Sequence, residues 1–349
     1  MELGISMFAD LALNKETGTR KPAQERLQEL LEEIKLADEV GLDVFGIGEH
    51  HRPDFAVSAP EIIIAAASVV TKNIKLGSAV TVLSSADPVR VYQNFATADL
   101  ISNGRVEIVA GRGSFIESFP LFGYDLEDYD ALFEEKLNLL LQINQQEEIT
   151  WSGKFRAPLY KQKVLPRAKN NALDIWIAVG GTPQSVVRAA RLGLPLMVAI
   201  IGGYPAQFNP LIRLYKDEYQ KSGHDVHKMR IGVHSHTFIG EDSKQAADYL
   251  FPGYAAQMDA VGRDRGWTPY TRAQYDKGRS FEGALLVGDV SEVTEKIIYQ
   301  CEMFGLTRFV AHMDIGGPEH KQLMKSIELF GTKVAPEVRK ALKKSEPKS

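Results

Sequence analysis

The stretch Asp43-Val44-Phe45-Gly46-Ile47-Gly48-Glu49-His50-His51-Arg52-Pro53-Asp54-Phe55 passes within a few residues from apolar to ionisable. Val44, Phe45 and Ile47, spaced by small glycines, read as a strand; Glu49, His50, His51 and Arg52 follow where that strand stops. A buried strand that ends in adjacent ionisable groups presents chemistry at the C-terminal edge of a sheet, the edge at which α/β proteins place their sites. Taken alone, a His-His pair serves equally well to brace a loop. Alternation along a strand predicts that the two rings diverge, so that at most one enters a pocket. Glu49 is then left either to fix a neighbouring ring or to face solvent.

Outward from that stretch, strands and helices alternate about eight times. A first strand covers Leu3 to Phe8, and a helix opening at Pro22 repeats apolar residues at Leu27, Leu30, Leu31, Ile34 and Ala37 until Gly41 stops it. Pro60 starts the next helix, a third strand runs from Ile74 to Leu83, and Asp87-Pro88 opens a helix that Asn103-Gly104 closes. A fourth strand, Val106 to Ala110, leads into Gly111-Arg112-Gly113-Ser114, and a long helix covers Leu126 to Gln145. Further strands are expected over 174–179, 194–201, 229–238 and 307–312, separated by helices. Such alternation without a change in composition indicates a parallel sheet, and eight repeats favour a closed (β/α)₈ TIM barrel over an open one. One barrel domain is expected over 1–349. The surplus length is assigned to a hairpin near 148–157 and a long insertion within 241–282, whose polar part, Gly262 to Ser280, is expected to act as a mobile lid.

The chain has 349 residues, a formal net charge of −4 and 44% hydrophobic residues. Nothing in that balance points to nucleic acid, and no apolar run is long enough to span a bilayer. Without a charged leader and cleavage site ahead of the first strand, and with the single Cys301 in an apolar helical pattern, the chain is expected to be cytoplasmic. Trp151, Trp176 and Trp267 read as hairpin, core-strand and loop anchors.

In a barrel every strand's C-terminal end meets the same rim. That rim collects Glu49-His50-His51, the Ala79-Val80 neighbourhood, Gly111-Arg112-Gly113, Gly180-Gly181-Thr182, and His312 with Asp314. Gly180-Gly181 before Thr182-Pro183 is a helix N-terminus free of side chains, a place that leaves backbone N–H groups open to an anion such as phosphate. Arg112 between two glycines supplies a permanent charge that a phosphate can reach.

Four segments then resemble the bacterial luciferase-like family of flavin-dependent monooxygenases over nearly the whole chain: GIGEHHRPDF (46–55), KLGSAVTVLSSADPVRVYQNFATADLISNGRVEIVAGRG (75–113), WIAVGGTPQSVVRAARLGLPLM (176–197) and VGDVSEVTEKI (287–297). The resemblance implies a (β/α)₈ barrel, usually a homodimer, that uses reduced FMN and O₂, or a deazaflavin in one branch, with a separate NAD(P)H-dependent flavin reductase as partner. It implies that Gly111, Arg112 and Gly113 hold the flavin phosphate, completed by Gly180, Gly181, Thr182, Gln184 and Ser185. It further implies a cis peptide between Ala79 and Val80 beneath the flavin ring, and His50 as the catalytic histidine. Light-emitting members carry Cys where this chain has Gly111 and Glu-Ser where it has Gly180-Gly181, so the match is to non-luminous members, and a small substrate such as an aldehyde is expected.

Two other readings stay open. A metal-dependent barrel hydrolase is suggested by His234 and His236, which alternate on one strand face, with His50, His51, His312 and Asp314 to complete a ligand set. A non-catalytic flavin-binding protein of the same fold is the other.

Overall fold

In the computed structural model, which describes residues 1–13, 17–113, 115–263 and 266–345, eight parallel strands close on themselves. They are β1 (Glu2–Met7), β2 (Val44–Ile47), β3 (Lys75–Ser78), β4 (Val106–Gly111), β5 (Asp174–Val179), β6 (Leu196–Ala199), β7 (Ile231–Ile239) and β8 (Arg308–His312). Each pairs in parallel with the next, and β8 returns to β1 with Glu2 opposite Arg308 and Ser6 opposite His312. The chain is a (β/α)₈ barrel.

Side chains alternate across the barrel wall, as the pleat requires. Leu3, Ile5, Met7, Phe45 and Ile47 pack outward into the layer shared with the helices, whereas Val44, Val109, Trp176, Met197 and Val310 fill the interior. At the N-terminal end of the barrel Arg308 lies over the Trp176 ring, 4.1 Å from its centroid. Its guanidinium is paired with the buried Glu107, and with Glu2 at 2.7 Å. Burial of this ionic set is sustained by its completeness, since a buried charge without a partner is far costlier than a paired one.

The helices start where their sequences predict. Helix α1 (Ala23–Glu39) follows Pro22, α2 (Pro60–Val70) begins at its proline, and α3 (Pro88–Ser102) is capped by Asp87, which accepts from the Val89 and Arg90 amides at 3.0 and 3.1 Å. The long helix expected from Leu126 opens as a 3₁₀ turn, and its regular part, α4, is Tyr129–Gln145. Cys301 is buried in a later helix, where desolvation pushes its thiol up to about 12.

Three segments differ from expectation. The strand expected over Ile74 to Leu83 is interrupted at the cis Ala79–Val80 peptide, into Lys75–Ser78 and a two-residue piece, Thr81–Val82. The hairpin extends past 157, with strands Glu148–Trp151 and Leu159–Lys163. Glu135 accepts from the amides of Lys154 and Phe155, which holds the turn wide, and the return strand begins only after Pro158, which has no N–H to give a ladder. The insertion after β7 contains two helices, Ser243–Arg263 and Arg272–Arg279. The second was missed because its apolar content is low; it is specified instead by a capping box in which Thr271 and Gln274 satisfy each other's backbone amides. Ser114, and Asp264 and Arg265 of the expected lid, lie outside the described residues. Among the described residues no helix is long and apolar enough to cross a membrane.

Candidate active site

The C-terminal mouth of the barrel opens into a cavity of about 1060 Å³. Strand β2 ends at Ile47, and Gly48 admits the Phe8 ring so closely that a Cβ there would sit 2.2 Å from it. Beyond Gly48 the chain is no longer a strand, so alternation does not govern the two histidines. Both line the cavity, which corrects the expectation that at most one does.

Their surroundings differ. The His50 ring is enclosed by Phe8, Phe55 and Phe115 at centroid distances of 5.1, 4.2 and 5.0 Å, and its Nδ1 lies 3.8 Å from Glu117 Oε1. Burial would lift the Glu117 carboxyl, but its contact with His50 and the amides around it outweigh burial and hold it below the usual range. His51 Nε2 is 3.0 Å from Glu49 Oε1, while Glu49 Oε2 accepts from the Val82 amide at 2.8 Å. Glu49 therefore fixes the His51 ring.

On the adjacent wall the Ala79–Val80 peptide is cis, and Val80 packs so tightly on Gly111 that a Cβ at 111 would meet Val80 Cγ2 at 2.6 Å. Arg112 reaches across to the start of the helix after β5, its Nη2 donating to Thr182 Oγ1 at 3.0 Å and its Nη1 lying 2.5 Å from Asp130. The guanidinium also lies over the Tyr129 ring, at 5.1 Å, and Tyr129 donates to Gly113 O at 2.7 Å. Gly111, Arg112, Gly113, Gly180 and Thr182 line the cavity. Gly181, Gln184 and Ser185 do not: Gln184 is exposed, and Ser185 is buried in helix Pro183–Arg191 with its amide turned back to Thr182 O at 3.1 Å. The sequence thus brings Arg112, Thr182 and Gly180 together and leaves three of the group behind them.

The opposite wall is contributed by β1, β7 and β8. His234 Nε2 is 2.6 Å from Ser6 Oγ, His236 Nδ1 is 3.1 Å from the Tyr254 hydroxyl, and His312 Nε2 is 3.1 Å from Asp314 Oδ1. Desolvation, with repulsion from His312, drives His234 down to about 3 and His236 well below its ordinary value, so both rings are neutral. Burial would raise Asp314, yet its bond to His312, the Arg26 charge at 3.3 Å and the Phe8 amide hold it at about 2. Asp10 behaves oppositely. Burial and the neighbouring Asp314 charge raise its carboxyl well above the usual range, against the opposing pull of Arg26 and the Gly316 amide.

Among the described residues, the ligand-type groups whose atoms come within 4.8 Å of one another are Asp10/His312/Asp314 and Glu29/Glu33/His320. Neither contains His50, His51, His234 or His236, so the ligand set imagined from the alternating histidines is not assembled. In the first cluster the Asp314 oxygens are already taken by Arg26 and the amides of Phe8, Ala9 and Asp10. Sequence reasoning missed Asp10, Glu117 and Tyr254. Asp10 was within reach, since it follows the end of the first strand as Glu49 follows the second.

The insertion covers the mouth: Tyr254, Met258, Trp267, Tyr270 and Gln274 all line the cavity. The site therefore has a cationic edge at Arg112, aromatic walls around a histidine, and a buried polar wall opposite.

Compared with known proteins, the chain matches the family model for luciferase-like monooxygenase over residues 1–308. It is 28% identical to the alkanal monooxygenase alpha chain of Photorhabdus luminescens over 61% of this chain and 59% of that one. Monooxygenase RslO1 of Streptomyces bottropensis superposes with a TM-score of 0.82 at 22% identity, covering 97% and 99% of the two chains. The oxygenating constituent of 3,6-diketocamphane monooxygenase from Pseudomonas putida, solved with FMN, gives 0.74 at 21% identity over 97% and 99%. The coenzyme F420-dependent tetrahydromethanopterin reductase of Methanopyrus kandleri gives 0.73 at 18% identity, also over 97% and 99%.

Proposed function

Because the chain belongs to the luciferase-like monooxygenase family, we propose that it uses reduced FMN and O₂ to oxidise a small organic substrate such as an aldehyde. The observation that carries this reading is the convergence of Arg112 and Thr182 at the mouth, one strand from the cis Ala79–Val80 peptide and facing the side on which His50 lies. A Cβ on Gly180 would meet no atom within 4 Å, which leaves open space for a phosphate beside that pair. Asp130 then shares Arg112 with the incoming group. When bound, the flavin supplies the activation of O₂. The chain's own groups place and shield it: Ala79 and Val80 form a shelf, and Phe8, Phe55 and Phe115 keep water from His50. His50 is the proton carrier, with Nδ1 facing Glu117 and Nε2 left for the reacting group. The segment 262–280 acts as the cover.

FMN is favoured over a deazaflavin by the Glu49-His50-His51 form and by the FMN in the 3,6-diketocamphane enzyme. The exposed apolar residues Ile62 and Val69 of α2 and Leu100 and Ile101 of α3 support a homodimer. A separate flavin reductase and a cytoplasmic location complete the reading. The test is a titration of the protein with FMN, anaerobically reduced FMN and coenzyme F420. Saturable binding of the FMN forms is expected; binding of F420 alone moves the reading to a deazaflavin, and binding of none of them overturns it.

A further inference from the structure

Two buried side chains on the wall opposite Arg112 carry polar atoms that have no hydrogen-bond partner among the described residues. Asp10 is only 4% exposed and lines the cavity; the Gly316 amide lies near enough to favour its charge, yet among the described residues neither carboxyl oxygen makes a hydrogen bond of regular geometry. His312, 2% exposed and on the same wall, uses Nε2 on Asp314 and leaves Nδ1 unpartnered. Buried groups of this kind are rare in folded proteins because each costs the desolvation it does not recover. A carboxyl oxygen of Asp10 and a ring nitrogen of His312 lie within 4.8 Å of each other. Both side chains line the same cavity, so one ligand group entering it meets the two together.

We propose that Asp10 and His312 form a subsite for the oxygen-bearing head group, hydroxyl or carbonyl, of an otherwise apolar substrate. This assignment rests on the flavin-dependent reading for what happens to that substrate, but not for its binding. The surroundings define the class further. Phe8 lies 4.1 Å from the His312 ring, and Val310, Ile315 and Tyr254 continue an apolar and aromatic surface. Among the described residues an anionic head group finds no unspent cation on this wall, because Arg26 is paired with Glu33 at 2.9 Å and with Asp314 at 3.3 Å. A metal ion finds Asp314 already occupied by three backbone amides and that arginine. The neutral His234 and His236 beside it hold Ser6 and Tyr254 and so keep the wall dipolar. What remains is a group that gives or takes hydrogen bonds without charge.

The test is equilibrium dialysis of four bicyclic probes with the full chain, with and without FMN: naphthalene, 1-naphthol, 1-tetralone and 1-aminotetralin. The wild type is expected to hold 1-naphthol or 1-tetralone about ten-fold more tightly than naphthalene, and whichever of the two is tighter identifies the head group. Asp10→Ala and His312→Phe are each expected to remove most of that preference while naphthalene and FMN binding stay unchanged. Asp10→Asn, which keeps hydrogen-bonding atoms at the site, is expected to retain it. Equal retention of the three neutral probes by the wild type overturns the proposal; it means that water satisfies these groups. Tightest binding of the cationic 1-aminotetralin, or a preference that survives both Asp10→Ala and His312→Phe, overturns it as well. A chain that prefers oxygenated probes but takes no flavin leaves the subsite standing and removes the flavin reading; the converse result does the opposite.

Discussion

His50 and His51 stand on a loop beyond the end of β2, whereas His234, His236 and His312 stand on strands inside the barrel. The first pair is held by carboxylates at the cavity edge, Glu117 and Glu49, and by aromatic rings. The second set is enclosed, with hydroxyl partners for His234 and His236, both of which desolvation keeps neutral, and a carboxylate only for His312. The difference is instructive. A histidine that must gain and lose a proton needs a neighbour that tolerates both states, while a histidine deep in a barrel serves by shape and hydrogen bonding.

The sharpest way to break that contrast is to remove the rim histidine. His50→Ala is expected to fold and to bind flavin, and to lose substrate oxidation by roughly 10²–10⁴-fold with more peroxide released per reduced flavin consumed. Oxygen uptake set against product formed reads this directly. Normal coupling in the mutant returns His50 to a bracing role.

Next in size is the inner wall. Asp314→Asn removes the charge opposite the buried Arg26 and beside His312, and is expected to cost about 3–5 kcal/mol of stability, read from urea unfolding. The Asp314 carboxyl is depressed in the folded chain, so its contribution is complete above about pH 4 and is lost as pH falls through about 2. A stability loss in the mutant that persists unchanged down to pH 2 counts against this pairing.

Arg112→Ala returns to the rim. It is expected to weaken FMN binding by about 2–3 kcal/mol and to leave the melting temperature nearly unchanged, because Asp130, the carboxylate it pairs with, is exposed and is rehydrated when the arginine is removed. Fluorescence titration of FMN measures it, and an unaltered affinity moves the phosphate elsewhere.

The last effect is a slope, small at any one pH near neutrality. His234 is lowered from 6.5 to about 3, so it favours the folded state fully above pH 6.5 and loses that contribution as pH falls through 3. His234→Gln is expected to flatten the stability profile across that window by about 1.4 kcal/mol per pH unit. A wild type whose stability is flat from pH 6.5 to 4 excludes a neutral, buried His234.

Much of this contrast could be read before the fold was known, and the exceptions have physical causes. The barrel was legible because β/α alternation and its stops, Gly41, Asn103-Gly104 and the prolines at 60, 88 and 183, are local signals. Arg112, Thr182 and Gly180 were legible because a rim collects strand ends in a known order. The inner wall was not. His234 and His236 showed their alternation, but whether a histidine is a ligand or a satisfied core group depends on Ser6 and Tyr254, which lie far away in sequence. Asp10 stood after the first strand as Glu49 stands after the second, but its nearness to His312 became visible only once β8 was placed beside β1. The second helix of the insertion escaped because a capping box is a weak pattern until its amides are seen to be satisfied.

The closure of β8 onto β1 has a consequence for how the molecule is made. Ser6 pairs in register with His312, so the Asp10–His312 wall joins residues from near the two ends of the chain. On the ribosome, β2 to β5 can lay down the side of the mouth bearing His50 and Arg112 long before β8 emerges. Until then β1 has an open edge and the inner histidines lack half their enclosure. Contacts this distant in sequence form slowly, and an open strand edge in a partly folded chain invites association with other chains. The polar wall is therefore the last part of the cavity to exist, and the part most exposed to error during synthesis.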